Sequence, residues 1–338
     1  MAKSTLDAPP GSVASTEAPA IDAQELTKTY RGGTRALDGL TFRVAPGTVF
    51  ALLGPNGAGK STAVKILTTL SRPDSGEAQV AGTDVLRCPD RVRRLIGVVS
   101  QKSTVDPEAT GRENLRLQGQ LYQMSGADLA ARVSALIERF NLGQVADKIV
   151  KTYSGGTERK LNVAVGLVHR PQVLFLDEPT TGLDPEARAE MWREITRLAA
   201  DEGVTVLLTT HYMEEADRLS NQVAIMDKGR VVVQGTAEQL KSELHGDAVV
   251  VQLADQVAPE QVLAAIDQLT AVLHEPSIDR RLLRARVDSG ASALPAVLAA
   301  LDSAGLNVSS ASVLRPSLDD VYLRYTGRTF ASNEEDPQ

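Results

Sequence analysis

Cysteine is almost missing from this chain: Cys88 is the single one among 338 residues. No internal disulfide can form, and the usage fits a reducing cytosol. A basic excess is missing too. Lys and Arg number 36 against 43 Asp and Glu, for a formal net charge of −7. The chain as a whole therefore lacks the electrostatic footprint of a nucleic-acid binder. No apolar run approaches the roughly 18–20 residues of a membrane-spanning helix. Residues 1–20 contain Pro9, Pro10, Gly11 and Pro19 but no apolar core, so they read as a disordered leader and not as a signal peptide. These absences predict a protein soluble by itself, whose membrane role, if any, runs through a partner. Hydrophobic residues make up 42%, enough for a large core, and the length suggests two domains.

What is present is organised around Gly54-Pro55-Asn56-Gly57-Ala58-Gly59-Lys60-Ser61-Thr62, which fills every fixed position of G-x-x-x-x-G-K-[ST]. The run 48–53 before it reads as a buried strand, and 62–67 after it as a helix. In that context the glycines let backbone N–H groups converge on phosphate oxygens, with the helix dipole behind them. Lys60 would reach the β- and γ-phosphates and the Ser61 hydroxyl would ligate Mg²⁺. Upstream, Tyr30 ends a strand-like run. It either stacks on an adenine face or packs on the sheet.

Further along, Ile96–Ser100 predicts a buried strand that ends at Gln101, which is either a Mg²⁺ ligand or a loop-capping amide. Helical patterns fill most of 111–170, with Thr110 and Glu113 spaced as a capping box. Tyr153-Ser154-Gly155-Gly156-Thr157 opens a helix and reads either as an ordinary cap or as a second anion nest that lacks a lysine. A complete cradle plus a bare nest suggests two copies, each closing the other's nucleotide. The run 173–176 ends in Asp177 and Glu178, as a buried parallel strand does at a catalytic edge. Strand alternation predicts that the two carboxylates face opposite ways: Asp177 toward the Mg²⁺ shell, Glu178 toward the attacking water as general base. Asp184 is a cap or a dimer contact, and His211 ends the strand-like run 204–210 beside the phosphate site.

In that order these motifs resemble the nucleotide-binding subunit of an ATP-binding cassette (ABC) transporter over residues 21–245. The resemblance implies an α/β fold: a P-loop NTPase (RecA-like) core with a helical subdomain at about 105–170 and an antiparallel β subdomain. It implies ATP and Mg²⁺ as cofactors and a head-to-tail dimer in which Ser154, Gly155 and Gly156 act in trans. It also implies an integral membrane permease as partner, at the cytoplasmic face of the cell membrane. The signature departs from the common form at its first and fifth positions, which are Tyr153 and Thr157 here. Residues 246–329 read as a small α+β unit, ferredoxin-like in pattern, and 330–338 as an acidic tail. Arg280, Arg281, Arg284 and Arg286 form either a solvated face or a lipid or nucleic-acid surface. The ending 316–327 is similar to that of daunorubicin-resistance ATP-binding subunits, which implies a drug exporter's motor. Two competing classes are a soluble ABC-type ATPase switch and a small-molecule kinase. The first usually carries two cassettes or long coiled coils, and the nest and His211 speak against the second.

Overall fold

A computed structural model describes residues 18–244, 246–255, 257–267 and 273–327. The leader up to residue 17 and the acidic tail lie outside the described residues.

The chain opens with a hairpin, β1 (Ile21–Thr29) and β2 (Arg35–Val44). Next, β3 (Val49–Leu53) turns through the glycine-rich loop into α1 (Lys60–Leu67). Then β4 (Ser75–Val80) and the short β5 (Thr83–Asp84) complete an antiparallel sheet of order β2-β1-β4-β5. After α2 (Pro89–Leu95) comes β6 (Ile96–Val99), followed by the helices α3 (Gly111–Leu121), α4 (Gly126–Arg139) and α5 (Gly155–Gly166). β7 (Val173–Asp177), α6 (Pro185–Glu202), β8 (Thr205–Thr210) and α7 (Met213–Leu219) lead to a second hairpin, β9 (Gln222–Asp227) and β10 (Arg230–Gly235), and to α8 (Ala237–Ser242).

The central sheet has order β10-β9-β3-β8-β7-β6 and is parallel except at β10. Every residue of β3 and β8 is buried, as a sheet covered on both faces requires. The two faces divide by strand alternation. Val49, Ala51 and Leu53 join a core with the helical layer, while Phe50 and Leu52 join one with α1 and the antiparallel sheet. At α3 the capping box forms as the sequence implies: Thr110 accepts from the Glu113 N–H and the Glu113 carboxylate accepts from the Thr110 N–H.

A third sheet follows. It contains β11 (Asp247–Leu253), β12 (Leu273–Asp279), β13 (Leu282–Val287) and β14 (Val308–Leu314), with α9 (Pro259–Ile266) and α10 (Gly290–Ser303) between them. Its order, β12-β13-β11-β14, and its antiparallel pairings give the ferredoxin-like β-α-β-β-α-β arrangement. This unit has its own apolar core. The last helix, α11 (Leu318–Thr326), leaves it: Leu318, Val321 and Tyr322 are buried in the larger core with residues of α7 and α8.

Candidate functional site

Four parallel strands, β3, β8, β7 and β6, end on one edge of the central sheet. Gly54 follows β3, Gln101 lies two residues past β6, Asp177 closes β7, and His211 follows β8. Crevices at the carboxyl ends of such strands are where ligands bind.

Two of the loop's glycines, Gly54 and Gly59, are dictated by space. A Cβ on Gly54 would meet the Met226 carbonyl oxygen at 2.6 Å, and one on Gly59, at φ +103°, would meet that of Ala36 at 2.4 Å. Pro55 and Ala58 are buried, while Asn56 and Gly57 are exposed at the loop's tip. Lys60 is only 5% exposed, and its ammonium donates to the carbonyl oxygens of Gly54 (2.6 Å) and Pro55 (3.0 Å). Burial pushes its pKa down, and the carboxylates of Glu178 and Asp177 oppose that shift. A buried cation held only by carbonyl oxygens suits an anion such as phosphate. Ser61 Oγ stands 3.4 Å from Asp177 Oδ1, which also accepts the Thr209 hydroxyl. This brings the two oxygen donors expected for Mg²⁺ together. Among the described residues no group of three or more His, Cys, Asp or Glu side chains forms a metal cage. The buried Thr62 hydroxyl lies 3.4 Å from the Tyr30 Oη, and Tyr30 is 39% exposed just past β1.

Glu178 departs from the strand geometry expected for it. β7 stops at Asp177, and Glu178 is left-handed at φ +49°. Its separation from Asp177 therefore comes from a turn of the backbone and not from the pleat. The turn is fixed by the Glu178 N–H, shared between the Thr209 carbonyl and hydroxyl oxygens. The carboxylate is gripped by three side chains. His211 Nδ1 lies 3.2 Å from Oε1, while the Gln101 amide (3.2 Å) and the Thr181 hydroxyl (3.3 Å) donate to Oε2. Gln101 thus sits with Glu178; among the described residues it makes no bond to Ser61 or Asp177.

The second nest stands apart. Ser154 caps α5 by accepting from the Thr157 N–H, and Asp184 caps α6 by accepting from the Ala187 N–H. Ser154, Gly155 and Asp184 are exposed, and Gly156 is packed so that a Cβ would meet that of Ala187 at 2.9 Å. No hydrogen bond among the described residues joins this nest to the Lys60 loop. The unusual signature positions find local partners. The Tyr153 hydroxyl donates to the Val145 carbonyl (2.6 Å), and the Thr157 hydroxyl lies 2.8 Å from that of Ser154.

Three buried polar residues around the site escaped the motif reading. Glu215, 1% exposed, accepts from the Thr180 hydroxyl (2.8 Å) and the Trp192 indole (3.2 Å). Burial raises its pKa, against the hydrogen bonds it accepts. Arg159 and Asn162 lie under the site from α5. Their signal in the sequence was polar residues three apart on a helix face that is otherwise apolar at core spacing.

A phosphate loop, a gripped carboxylate at a parallel strand end and a capped glycine nest on a helical layer define the class: an ATP-binding cassette. Comparison with known proteins narrows it. Residues 37–181 match the family described as ABC transporter, overlapped at 149–217 by one described as AAA domain, putative AbiEii toxin, Type IV TA system. Residues 235–326 match the family described as ATP-binding protein DrrA1-3-like, C-terminal domain. The daunorubicin resistance ATP-binding protein DrrA3 of Streptomyces coeruleorubidus is 46% identical over 91% of this chain and 96% of its own. The daunorubicin/doxorubicin resistance ATP-binding protein DrrA of Streptomyces peucetius is also 46% identical, over 91% and 92%. A solved structure, cbiO1 from Clostridium perfringens, described as part of the ABC transporter complex cbiONQ, matches with a TM-score of 0.62 and 28% identity over 68% of this chain and 92% of its own. The chain belongs to the ABC transporter ATP-binding proteins of the daunorubicin-resistance type.

Proposed function

We propose that this chain hydrolyses ATP to energise export of a drug or antibiotic-like molecule through a separate membrane permease, at the cytoplasmic face of the cell membrane. The observation that carries the reading is the Glu178 carboxylate, held by His211, Gln101 and Thr181 beside the buried Lys60. The relatives named for daunorubicin resistance, matched over nine-tenths of the chain, supply the substrate class.

In this reading the N–H groups of Gly54–Thr62 cradle the phosphates and Lys60 leaves its two carbonyl partners for the β- and γ-phosphates. Tyr30 stacks on the adenine. Ser61 and Asp177, with Gln101, would hold the metal. Bound Mg²⁺ supplies charge neutralisation at the transferring phosphoryl group. Glu178 takes the proton of the attacking water, and His211 orients Glu178 and hydrogen-bonds the γ-phosphate. Two copies pair head to tail. Each lends Ser154, Gly155 and Gly156, with Asp184 beside them, to the other's nucleotide. Preferential binding of nucleotide to the closed pair drives the stroke, and hydrolysis resets it.

In this reading residues 21–245 are the ATP-binding domain of the motor and 246–329 an accessory unit whose last helix, α11, packs back into the core of that domain. Among the described residues no helix is long and apolar enough to cross a membrane, and in this reading the permease docks on the chain. Leu70 after α1 and Leu117 and Leu121 on α3 are exposed by 72%, 54% and 70%, and we assign these side chains to the permease contact. The test is daunorubicin accumulation in cells that express the chain with its permease. Wild type should lower accumulation and Glu178→Gln should not. Equal accumulation with and without wild-type protein would overturn the reading.

A further inference from the structure

On the inward stripe of α5, Arg159 and Asn162 are 9% and 4% exposed. Three residues apart, they share one helix face. The Arg159 guanidinium spends its donors on backbone carbonyl oxygens alone. Nε donates to Pro179 (2.8 Å), Nη1 to Ser100 (2.7 Å) and more weakly Gln101 (3.5 Å), and Nη2 to Asp177 (3.0 Å) and Glu178 (3.1 Å). One turn on, Asn162 Oδ1 accepts the Thr104 N–H (3.0 Å), and its amide donates to the Ser103 hydroxyl (3.0 Å). A single planar fork therefore spans three segments: the start of α5, the Gln101 loop and the end of β7. Asn162 doubles the tie to the Gln101 loop. Burial of so many donors is tolerable only because each finds an acceptor.

The placement has a mechanical consequence. The N-terminus of α5 is the glycine nest, exposed at Ser154 and Gly155 and not hydrogen-bonded to its own phosphate loop among the described residues. The carbonyls that Arg159 holds belong to the segments carrying Gln101 and Glu178. We infer that Arg159, assisted by Asn162, is a positioning residue that locks the nest of one copy to the catalytic carboxylate of the same copy. Engagement of the partner's nucleotide at the nest then moves Glu178 and Gln101 into place over the copy's own nucleotide. Cooperativity between the two ATP sites of the dimer passes through this strap. The inference rests on the proposed ATPase dimer, since the nest must meet the partner's phosphate.

The experiment uses the full chain and three variants. Arg159→Met keeps the stem and removes the fork. Arg159→Lys keeps the charge on one donor centre, which cannot span the three segments. Asn162→Leu cuts only the Gln101-loop side. Two quantities are read: affinity of the single protomer for a fluorescent ATP analogue, and turnover against ATP concentration. The expected result for Arg159→Met is affinity within about twofold of wild type, since the phosphate loop is untouched. Turnover should fall about 100-fold, the cost of misplacing catalytic groups by an ångström. The sigmoidal ATP dependence of wild type should become hyperbolic. Arg159→Lys should recover part of both, and Asn162→Leu should lose sigmoidicity with a smaller fall in turnover.

Arg159→Met with wild-type turnover and sigmoidicity would overturn the strap. So would loss of nucleotide affinity in proportion to turnover, which is what a merely structural residue gives. If Arg159→Met fails to fold, sigmoidal turnover retained in both other variants overturns it instead. Wild-type protein without MgATP turnover would remove the ATPase reading and the strap together; hyperbolic wild-type turnover would remove the strap alone.

Discussion

Two glycine-bearing helix starts in this chain look alike in sequence and differ in every physical respect. At α1 the loop follows β3 directly, and its Gly54 and Gly59 are forced by backbone oxygens within 2.6 Å of an added Cβ. Its lysine is buried and two carboxylates sit close enough to influence its protonation. At α5 the start is exposed and capped by its own Ser154, and among the described residues no lysine ammonium bonds to it. The first can hold a phosphate alone. The second offers N–H groups and a dipole end, with the Thr157 N–H already taken by Ser154 Oγ. The difference teaches that a helix N-terminus becomes a catalytic half-site only through what surrounds it. It also underlies the pairing we propose, in which each copy's nest has its use at the other copy's phosphate loop.

Breaking the first nest should cost most. Lys60→Ala should lower MgATP turnover by about 1000-fold and weaken nucleotide binding by the single protomer; binding measured by fluorescence or calorimetry checks it. Breaking the second should leave binding by the protomer intact. Gly156→Asp crowds the Ala187 Cβ and places a carboxylate in the nest. Turnover should fall by about 100-fold while the affinity of the isolated protomer stays at the wild-type value. Equal losses of affinity in the two variants would erase the distinction drawn above.

The Tyr30→Ala change tests the edge of the first nest. Losing one base-stacking ring should weaken ATP binding by about tenfold and leave turnover at saturating ATP unchanged.

The smallest effect concerns Glu215, under the loop that runs from Glu178 to Asp184. Burial raises its pKa above the ordinary 4.5. The neutral form is therefore favoured on folding. Its contribution is full below the unfolded value and is lost as pH rises through the folded one. Glu215→Gln should gain thermal stability relative to wild type at alkaline pH, with the gap narrowing toward pH 4.5. A gap that does not change with pH would remove the buried charge as its cause.

The sequence exposed the chemistry more fully than the architecture. Asp177, Glu178 and His211 stand at or just past strand ends and Lys60 opens the helix after β3, where a motif and an apolar run coincide. The ferredoxin-like unit was legible from alternation in β11 and β13. β12 was not, because Pro276 interrupts it; a proline is tolerated there since β12 is the sheet's edge. α2 was hidden because Val92 is its only buried residue and charges fill the rest. The turn at Glu178 was invisible because a left-handed glutamate has no composition signal; its cause is Thr209, on another strand. Arg159 and Asn162 were hidden for a similar reason: their partners are backbone atoms of loops far along the chain, which no local pattern names. α11 shows the limit most plainly, since its period gives a helix but not which of two cores it joins.

The account's central claim is that each copy supplies half of the pocket around the terminal phosphate. Sedimentation of Glu178→Gln protein saturated with MgATP tests it most directly, with the permease present in a parallel sample. The account predicts a stable dimer with two nucleotides, which reverts to monomers when Gly156→Asp is added. Monomers throughout, each with one tightly bound nucleotide, would contradict it.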